Sequence, residues 1–125
     1  MNTPKELKYT KEHEWINVDN DTATVGITDF AQSELGDIVF IELPNLNDEF
    51  NKNDVFGTIE AVKTLADLYI PVSGRIIEIN EDLEADPELV NSDPYEKGWI
   101  VKIQLKDSSE LNDLLSDSEY SELIK

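Results

Sequence analysis

The residue whose position points most directly to chemistry is Lys63. It is the only base between Lys52 and Arg75. It lies between two apolar segments that are predicted to be strands, Val55–Val62 and Leu65–Val72. A lysine at the tip of such a hairpin is exposed to water, and its stem has nothing to pack along. The position is therefore typical either of an ordinary surface lysine or of a lysine that carries an attached group.

An amide bond at the ε-amine would remove the charge and convert the side chain into a tether. A tethered group meets a docked active site at a high effective concentration, which is what a carrier protein requires. The local turn signal is weak, so either something other than turn chemistry selected these residues or the strands end elsewhere. The tip, Ala61–Thr64, contains no Gly, Asn or Asp, so a type I′ hairpin turn is poorly encoded.

The remaining reactive residue types exclude several classes of function. With no cysteine, the chain has no disulfide, no Cys-ligated zinc, no iron–sulfur cluster and no thiol nucleophile. His13 is the single histidine, which excludes a His-pair metal site, and we interpret it as a hydrogen-bonded structural side chain. The acidic run 81–86 lacks the glycine and spacing of an EF-hand loop. We therefore predict no metal site and no catalytic residue, and place Trp15 and Trp99 in the core or at a barrel edge.

Charge and length limit the partners and the organisation of the protein. The chain has 125 residues with 28 acids and 10 bases, a formal net charge of −18. Such a charge repels phosphate backbones, so no nucleic-acid partner is expected, and it favours partners with basic docking surfaces. No segment is apolar enough to span a membrane. We expect one domain over residues 1–125, a monomer, in the cytoplasm.

The elements that must position Lys63 are mostly short strands. A hairpin is predicted from Glu14–Val18 and Thr22–Ile27, with Asp19-Asn20-Asp21 as its turn. Asp37–Leu43 is predicted to be a buried strand because it is largely apolar and β-branched. Two later strands are predicted at Arg75–Ile79 and Gly98–Leu105.

Short helices are predicted in the middle of the chain and at its C-terminal end. Thr28-Asp29 offers an N-cap for a helix over Phe30–Leu35, which Gly36 ends. Capping-box patterns begin at Asp107 and Ser116. Asn47 and Asn53 tolerate left-handed backbone and predict two turns. Asp86 and Pro87 predict a helix start, with Asp86 as N-cap and Pro87 at the first helical position. The fold class is mainly β, a small barrel or sandwich with short helices.

The segment around Lys63 resembles the lipoyl-attachment segment of the glycine cleavage system H protein family. The resemblance runs over GTIEAVKTLADLYIPVSG, residues 57–74. It extends in order to YTKEHEW at 9–15, VGITDFAQSELGDIVFIELP at 25–44, SDPYEKGWIVKI at 92–103 and LLSDSEYSEL at 114–123. The match therefore covers nearly the whole chain.

The resemblance implies a flattened β-barrel/sandwich hybrid of the lipoyl-domain kind, with lipoate linked by an amide to Lys63. It also implies that lipoylating enzymes recognise Glu60, three residues before the lysine, and Gly74, eleven residues after it. Several positions depart from the family pattern. Asparagines replace usual turn glycines at 47 and 53, Ala61 replaces a commoner serine, and Leu65 is larger than expected.

By resemblance the protein is a non-catalytic carrier of the glycine cleavage system. The arm on Lys63 would receive the aminomethyl group from glycine decarboxylase, a pyridoxal-phosphate enzyme. It would deliver that group to aminomethyltransferase and tetrahydrofolate, and be reoxidised by dihydrolipoamide dehydrogenase. An aminomethyl group carries a cationic amine, so carboxylates near the arm could hold and shield it. Glu14 and Asp67 are our candidates for that role, the alternative being that both are ordinary solvated acids.

Several alternatives to this carrier are open. Biotin domains flank their lysine with methionines, whereas the neighbours here are Val62 and Thr64. A lipoyl domain of a 2-oxoacid dehydrogenase complex would carry an acid immediately before the lysine. A Schiff-base enzyme would need a buried Lys63 with a lowered pKa. An unmodified acidic β-barrel adaptor would need no attachment, and a family member could also relay lipoate to other lipoyl enzymes.

Overall fold

The computed structural model describes residues 2–125 as two antiparallel sheets joined by a common core. The larger sheet has six strands in the order β1-β2-β3-β9-β8-β5, and the smaller has three in the order β4-β6-β7. The strands are β1 Lys8–Tyr9, β2 Glu14–Asp19, β3 Thr22–Ile27, β4 Ile38–Glu42, β5 Glu49–Phe50, β6 Val55–Ala61, β7 Leu65–Tyr69, β8 Gly74–Ile79 and β9 Val101–Leu105. The expected mainly β sandwich with short helices is confirmed.

The helices are short and lie in the middle and C-terminal parts of the chain, as predicted. They are α1 Asp29–Leu35, α2 Asp82–Ala85, α3 Leu89–Ser92 and α4 Asp117–Leu123, with a 3₁₀ helix at Ser108–Asp113. The Thr28 side chain caps α1 by accepting from the backbone N–H of Ala31, and Gly36 ends it. No helix within residues 2–125 is long and apolar enough to cross a membrane.

The core lies where the inner faces of the two sheets meet. Ile16, Val25 and Ile103 come from the six-stranded sheet. Ile59 and Leu68 come from the three-stranded sheet, and Ile59 is completely buried. Alternation along β6 buries every second residue at its end, so burial of Ile59 fixes the strand that leads to Lys63. A second, smaller buried cluster contains Leu7, Tyr9, Trp15 and Tyr120.

The left-handed backbone predicted for Asn47 and Asn53 is confirmed, and Asn20 in the predicted Asp19-Asn20-Asp21 turn adopts it as well. Asn20, between β2 and β3, has φ 59°, and Asn47 and Asn53 have φ 72° and 75°. Asparagine adopts this backbone more readily than most residues that carry a Cβ, because its short polar side chain can hydrogen-bond locally. The Asn53 N–H also donates to the Ile70 carbonyl at 2.8 Å, which ties the Asn53 turn to the residue that follows β7.

The burial predicted for β4 was wrong. β4 was expected to be buried throughout, but Val39 and Phe40 are about half exposed. The register of β4 against β6 shifts between Ile38 and Phe40, which marks a β-bulge. An extra residue in one strand breaks strict alternation, so two successive apolar side chains lie outside the core.

Two helix-boundary predictions were also wrong. Asp86 and Pro87 do not cap the following helix, which begins at Leu89, because Asp86 instead ends the unpredicted helix α2. The Asp107 side chain caps the 3₁₀ helix, but Glu110 does not complete that capping box. Its carboxylate accepts from the Ser73 N–H and hydroxyl at 2.7 and 2.8 Å. The predicted box at Ser116 and Glu119 is confirmed.

The Asn53 turn provides a stability test. Replacing Asn53 with alanine should lower the free energy of unfolding by about 1 kcal/mol, because alanine pays the steric cost of a left-handed backbone. Replacing it with glycine should change the free energy of unfolding by less than about 0.5 kcal/mol. Urea denaturation of both variants measures the difference. Equal loss in the two variants would show that the backbone angle is not what asparagine supplies.

Candidate functional site: an exposed lysine beside an acidic groove

Lys63 lies at the tip of the β6–β7 hairpin and is exposed, as predicted. The two strands pair from Val55 opposite Tyr69 to Glu60 opposite Leu65, so the hairpin is supported along its length. Within residues 2–125, the Lys63 ammonium makes no hydrogen bond and no ion pair. The ε-amine is therefore accessible to another molecule.

The tip is held by backbone hydrogen bonds without a primed hairpin turn. The Ala61 N–H donates to the Thr64 carbonyl at 2.8 Å, and the Val62 N–H donates to the Asp37 carbonyl at 3.0 Å. None of residues 61–64 has a positive φ, so a type I′ turn is absent there, as the sequence indicated. The segment after α1 thus anchors the hairpin that presents the lysine.

Gly36 lies directly beneath the lysine stem. A Cβ atom built on Gly36 would lie 3.4 Å from the Lys63 Cε and 3.8 Å from its Nζ. Gly36 also has φ 78°, which L-residues with side chains rarely adopt. The absence of a side chain therefore ends α1 and leaves room for the Lys63 stem to lie across the end of that helix.

A groove of about 380 Å³ lies next to this position along the chain. Leu35, which directly precedes Gly36, is part of its wall. The groove has an apolar lining and several acids. It is formed by Glu12, His13, Glu14, Ile27, Phe30, Ala31, Glu34, Leu35, Ile59, Ala66, Asp67, Leu68 and Tyr69. Such a groove suits an apolar chain that ends in a cation.

Glu14 is the buried acid of the groove, with 2% of its surface exposed. Its Oε2 accepts from the Tyr69 N–H at 2.9 Å, and its Oε1 accepts from the Thr10 hydroxyl at 3.3 Å. Burial, with a smaller contribution from the negative charge of Glu12, raises the pKa of the Glu14 carboxyl to about 8, although the two hydrogen bonds partly oppose this shift. The interpretation of Glu14 as an ordinary solvated acid is therefore wrong.

The structure places Asp67 at the same groove, so the two acids predicted from the sequence do lie together. Asp67 is exposed and pairs across the hairpin with Thr58. Two further acids line the groove, Glu12 before β2 and Glu34 on α1. Sequence reasoning missed both, since only the fold brings the end of α1 against the chain before β2.

His13 is hydrogen-bonded, as predicted. Its Nδ1 lies 2.9 Å from the Tyr120 hydroxyl, which is 2.7 Å from the hydroxyl of Thr28. Its ring also packs on Phe30 with centroids 4.9 Å apart. The pKa of His13 is lowered, because burial outweighs the opposite effect of the negative charges of Glu12 and Glu34. Tyr120, in the last helix, thus supports the groove wall through its contact with His13. No local sequence pattern around Tyr120 indicates this role.

Glu60 and Gly74 occupy very different positions. Glu60 is exposed on β6 near the tip, with Phe40 and Leu65 as its cross-strand neighbours. Gly74 is buried in the other sheet, where a Cβ would lie only 2.2 Å from the Gln104 carbonyl oxygen. Close approach of β8 and β9 therefore requires glycine at this position.

The structure is thus a small β-rich domain of two sheets that presents an accessible lysine at a hairpin tip. The family model for "Glycine cleavage H-protein" matches residues 7–125. The chain belongs to the glycine cleavage H-protein family, and this membership supports the role of lipoyl carrier in the glycine cleavage system.

Two curated relatives and one solved structure agree with this assignment. The glycine cleavage system H protein of Staphylococcus epidermidis is 58% identical over 124 residues, covering 99% of this chain and 98% of that protein. That of Staphylococcus haemolyticus has the same identity and coverage. A crystal structure of a glycine cleavage system H protein from Mycobacterium marinum has a TM-score of 0.89 at 35% identity, covering 96% of this chain and 97% of that one.

Burial of Glu14 predicts a specific pH dependence of stability. Its pKa is about 8 in the folded protein and near 4.5 when unfolded, so the folded state retains the proton to higher pH. The Glu14 contribution to the free energy of unfolding is therefore complete below pH 4.5. It falls as pH rises toward 8, by at most about 1.4 kcal/mol per pH unit. Glu14→Gln should lack this component, as urea denaturation from pH 5 to 8 can measure.

Glu84→Gln is the matched control, because Glu84 is exposed on α2. It should keep the pH dependence of the parent. An identical pH profile for the parent and Glu14→Gln would contradict a buried, protonated Glu14.

Proposed function

We propose that Lys63 carries lipoate in amide linkage and that the chain acts as the aminomethyl carrier of the glycine cleavage system. The observation that carries the proposal is the exposed, unpaired ε-amine of Lys63 at a supported hairpin tip, in a chain of this family. A Schiff-base enzyme would need that lysine in a desolvated pocket, so the exposed position argues against it.

The residues around Lys63 fit an attached lipoyl chain. The stem lies across Gly36, next to Leu35 in the groove wall. In attachment, Nζ would form an amide with the carboxyl carbon of an activated lipoyl ester or adenylate, the activating group would leave, and Nζ would lose a proton. When attached, lipoate supplies a disulfide that can accept an aminomethyl group and be regenerated by oxidation.

The partners in this proposal act in sequence on the same lysine. Glycine decarboxylase would load the arm, aminomethyltransferase with tetrahydrofolate would unload it, and dihydrolipoamide dehydrogenase would reoxidise it. Lys63 and its hairpin contribute position and reach, because the exposed tip can enter each active site in turn. No group on this chain has to perform the chemistry, so the carrier is proposed to be non-catalytic.

The groove would shelter the cationic amine of the loaded arm. Glu14 would bind the amine from the interior, and Asp67 from the exposed side of the same groove. A cation beside Glu14 favours its ionised form, because an opposite charge lowers a carboxyl pKa. Binding of the amine would therefore release the proton that the buried Glu14 holds when the groove contains no cation.

The two recognition residues would act in different ways. Glu60 is exposed close to the lysine, so a lipoylating enzyme could contact its carboxylate directly. Gly74 is buried beneath Gln104 in the other sheet, so it would support recognition by preserving the spacing of β8 and β9.

The attachment site predicts a single outcome for Lys63→Arg. Arginine keeps the charge and length of the side chain but has no amine that can form the amide. The parent expressed in cells competent for lipoylation should gain the mass of one lipoyl group, and Lys63→Arg should gain none and transfer no aminomethyl group. Intact-mass spectrometry measures attachment, with Lys52→Arg as the matched control.

An unmodified parent in such cells would favour the adaptor alternative. A lipoylated parent that supports other lipoyl enzymes but not glycine cleavage would favour the relay alternative. In either case the proposed aminomethyl carrier would be wrong.

Shielding predicts faster loss of the loaded group when the groove acids are removed. Water converts the aminomethyl group to formaldehyde and ammonium and leaves the arm as a thiol. Glu14→Gln and Asp67→Asn should each accelerate formaldehyde release by about tenfold, corresponding to loss of one charge-assisted hydrogen bond. Glu84→Gln and Asp21→Asn, which change exposed acids outside the groove, should match the parent. Unchanged release in both groove variants would contradict the shielding role.

A further inference from the structure

Four large apolar side chains are exposed around Lys63. Val62 is 75% exposed and Leu65 66% on the hairpin, and Val39 and Phe40 are 49% and 50% exposed on β4. We refer to Val39, Phe40, Val62 and Leu65 as the hairpin patch. Apolar side chains that cluster at the surface are typical of an interaction site, whereas scattered ones are ordinary.

The β-bulge in β4 contributes to the hairpin patch. The register shift between Ile38 and Phe40 leaves both Val39 and Phe40 outside the core, where regular alternation would bury one of them. β4 is one of the two edge strands of its sheet, so these side chains lie at an accessible border. Bulges at edges are typical places where a strand redirects side chains for function.

Strand register places Glu60 at the centre of the patch. Phe40 lies opposite Glu60 across one strand pair, and Leu65 lies opposite Glu60 across the other. The three residues therefore form one row on the outer face of the three-stranded sheet, next to the lysine. Glu42 and Asp67 flank Thr58 in the adjacent row. The surface is thus apolar with acids in its centre and along one side.

Charge restricts the partner that such a surface fits. Between residues 53 and 74 the chain has no base except Lys63, and the net charge of the protein is −18. A complementary partner would present an apolar depression bordered by arginine or lysine side chains. A second copy of this chain would bring the same acids together, so self-association is disfavoured.

We propose that the hairpin patch, with Glu60 at its centre, is the docking surface for the enzyme that attaches lipoate to Lys63. This inference rests on the proposed function. The attaching enzyme must bring Nζ itself into its active site, and the lysine stem has only four carbons. The enzyme surface must therefore approach the flanks of the tip closely, where Val62, Leu65 and Phe40 lie. Enzymes that act at the far end of a finished arm have no such requirement.

Rates of attachment test the proposal. Unmodified protein is incubated with a lipoate ligase, lipoate and ATP, and the lipoylated fraction is followed by intact-mass spectrometry. Phe40→Ser and Leu65→Ser should each lower kcat/KM for the protein substrate at least about fivefold, and the double variant at least about tenfold, because each substitution removes apolar surface near the centre of the interface. Rising salt should lower the rate for the parent, because it screens the attraction between the acids of the patch and a basic partner.

Leu46→Ser and Ile77→Ser are the matched controls. Both remove exposed apolar side chains, 52% and 39% exposed, outside the hairpin patch. They should be lipoylated at the parent rate. All four substituted positions are partly or largely exposed, and thermal unfolding confirms that each variant is folded before rates are compared.

Three results would overturn the docking surface. Patch variants that react at the rate of the controls would remove the role of the patch while leaving lipoylation of Lys63 intact. Patch variants that are lipoylated normally but loaded slowly by glycine decarboxylase would assign the surface to that partner. Concentration-dependent association of the parent that the patch variants lose would assign it to a second copy. A parent that is never lipoylated would instead contradict the proposed function.

Discussion

The structure depends on keeping one amine in water at the end of a hairpin that is held by backbone hydrogen bonds and by burial of its inner side chains. Backbone pairing of β6 with β7 extends to Glu60 and Leu65, and the Asp37 carbonyl ties down the tip beyond them. Burial of Ile59 anchors the same strand in the core between the sheets. The backbone hydrogen bonds thus hold the chain on both sides of Lys63, whose side chain is exposed at the tip.

Successive side chains of β6 point to opposite faces, so the hairpin that carries Lys63 has two different faces. Ile59 lines the groove, whereas the next residue, Glu60, lies on the outer face with the hairpin patch. Asp67 lies beside Thr58 in the outer row and also lines the groove, so the two surfaces meet at this residue. A partner protein can therefore bind the outer face while the adjoining groove holds an attached chain. Gly36 has no side chain, so the Lys63 stem has room to lie across the end of α1, next to Leu35 in the groove wall.

The exposed acids and the buried acid Glu14 have different roles. The many surface acids add to the net charge and to attraction of basic partners, where water screens each of them. Glu14 is different, since it is buried with one amide and one hydroxyl donor and makes no ion pair with any residue of 2–125. Its burial costs stability in the ionised form, and the fold retains it at the wall of an apolar groove. Such a group is far more sensitive to an arriving cation than an exposed acid could be.

Local chemistry was enough to predict the elements whose signals are carried by one or two residues. Asn47, Asn53 and Gly36 sit at backbone angles that few other residues tolerate, and the order of residues placed Lys63 at a hairpin tip. Tertiary structure decided the rest. Only the packing of separate segments buries Glu14, brings Glu34 to the same groove, and diverts Glu110 from its local cap to Ser73. Burial and long-range hydrogen bonds depend on neighbours that are distant along the chain, and no short sequence pattern encodes them.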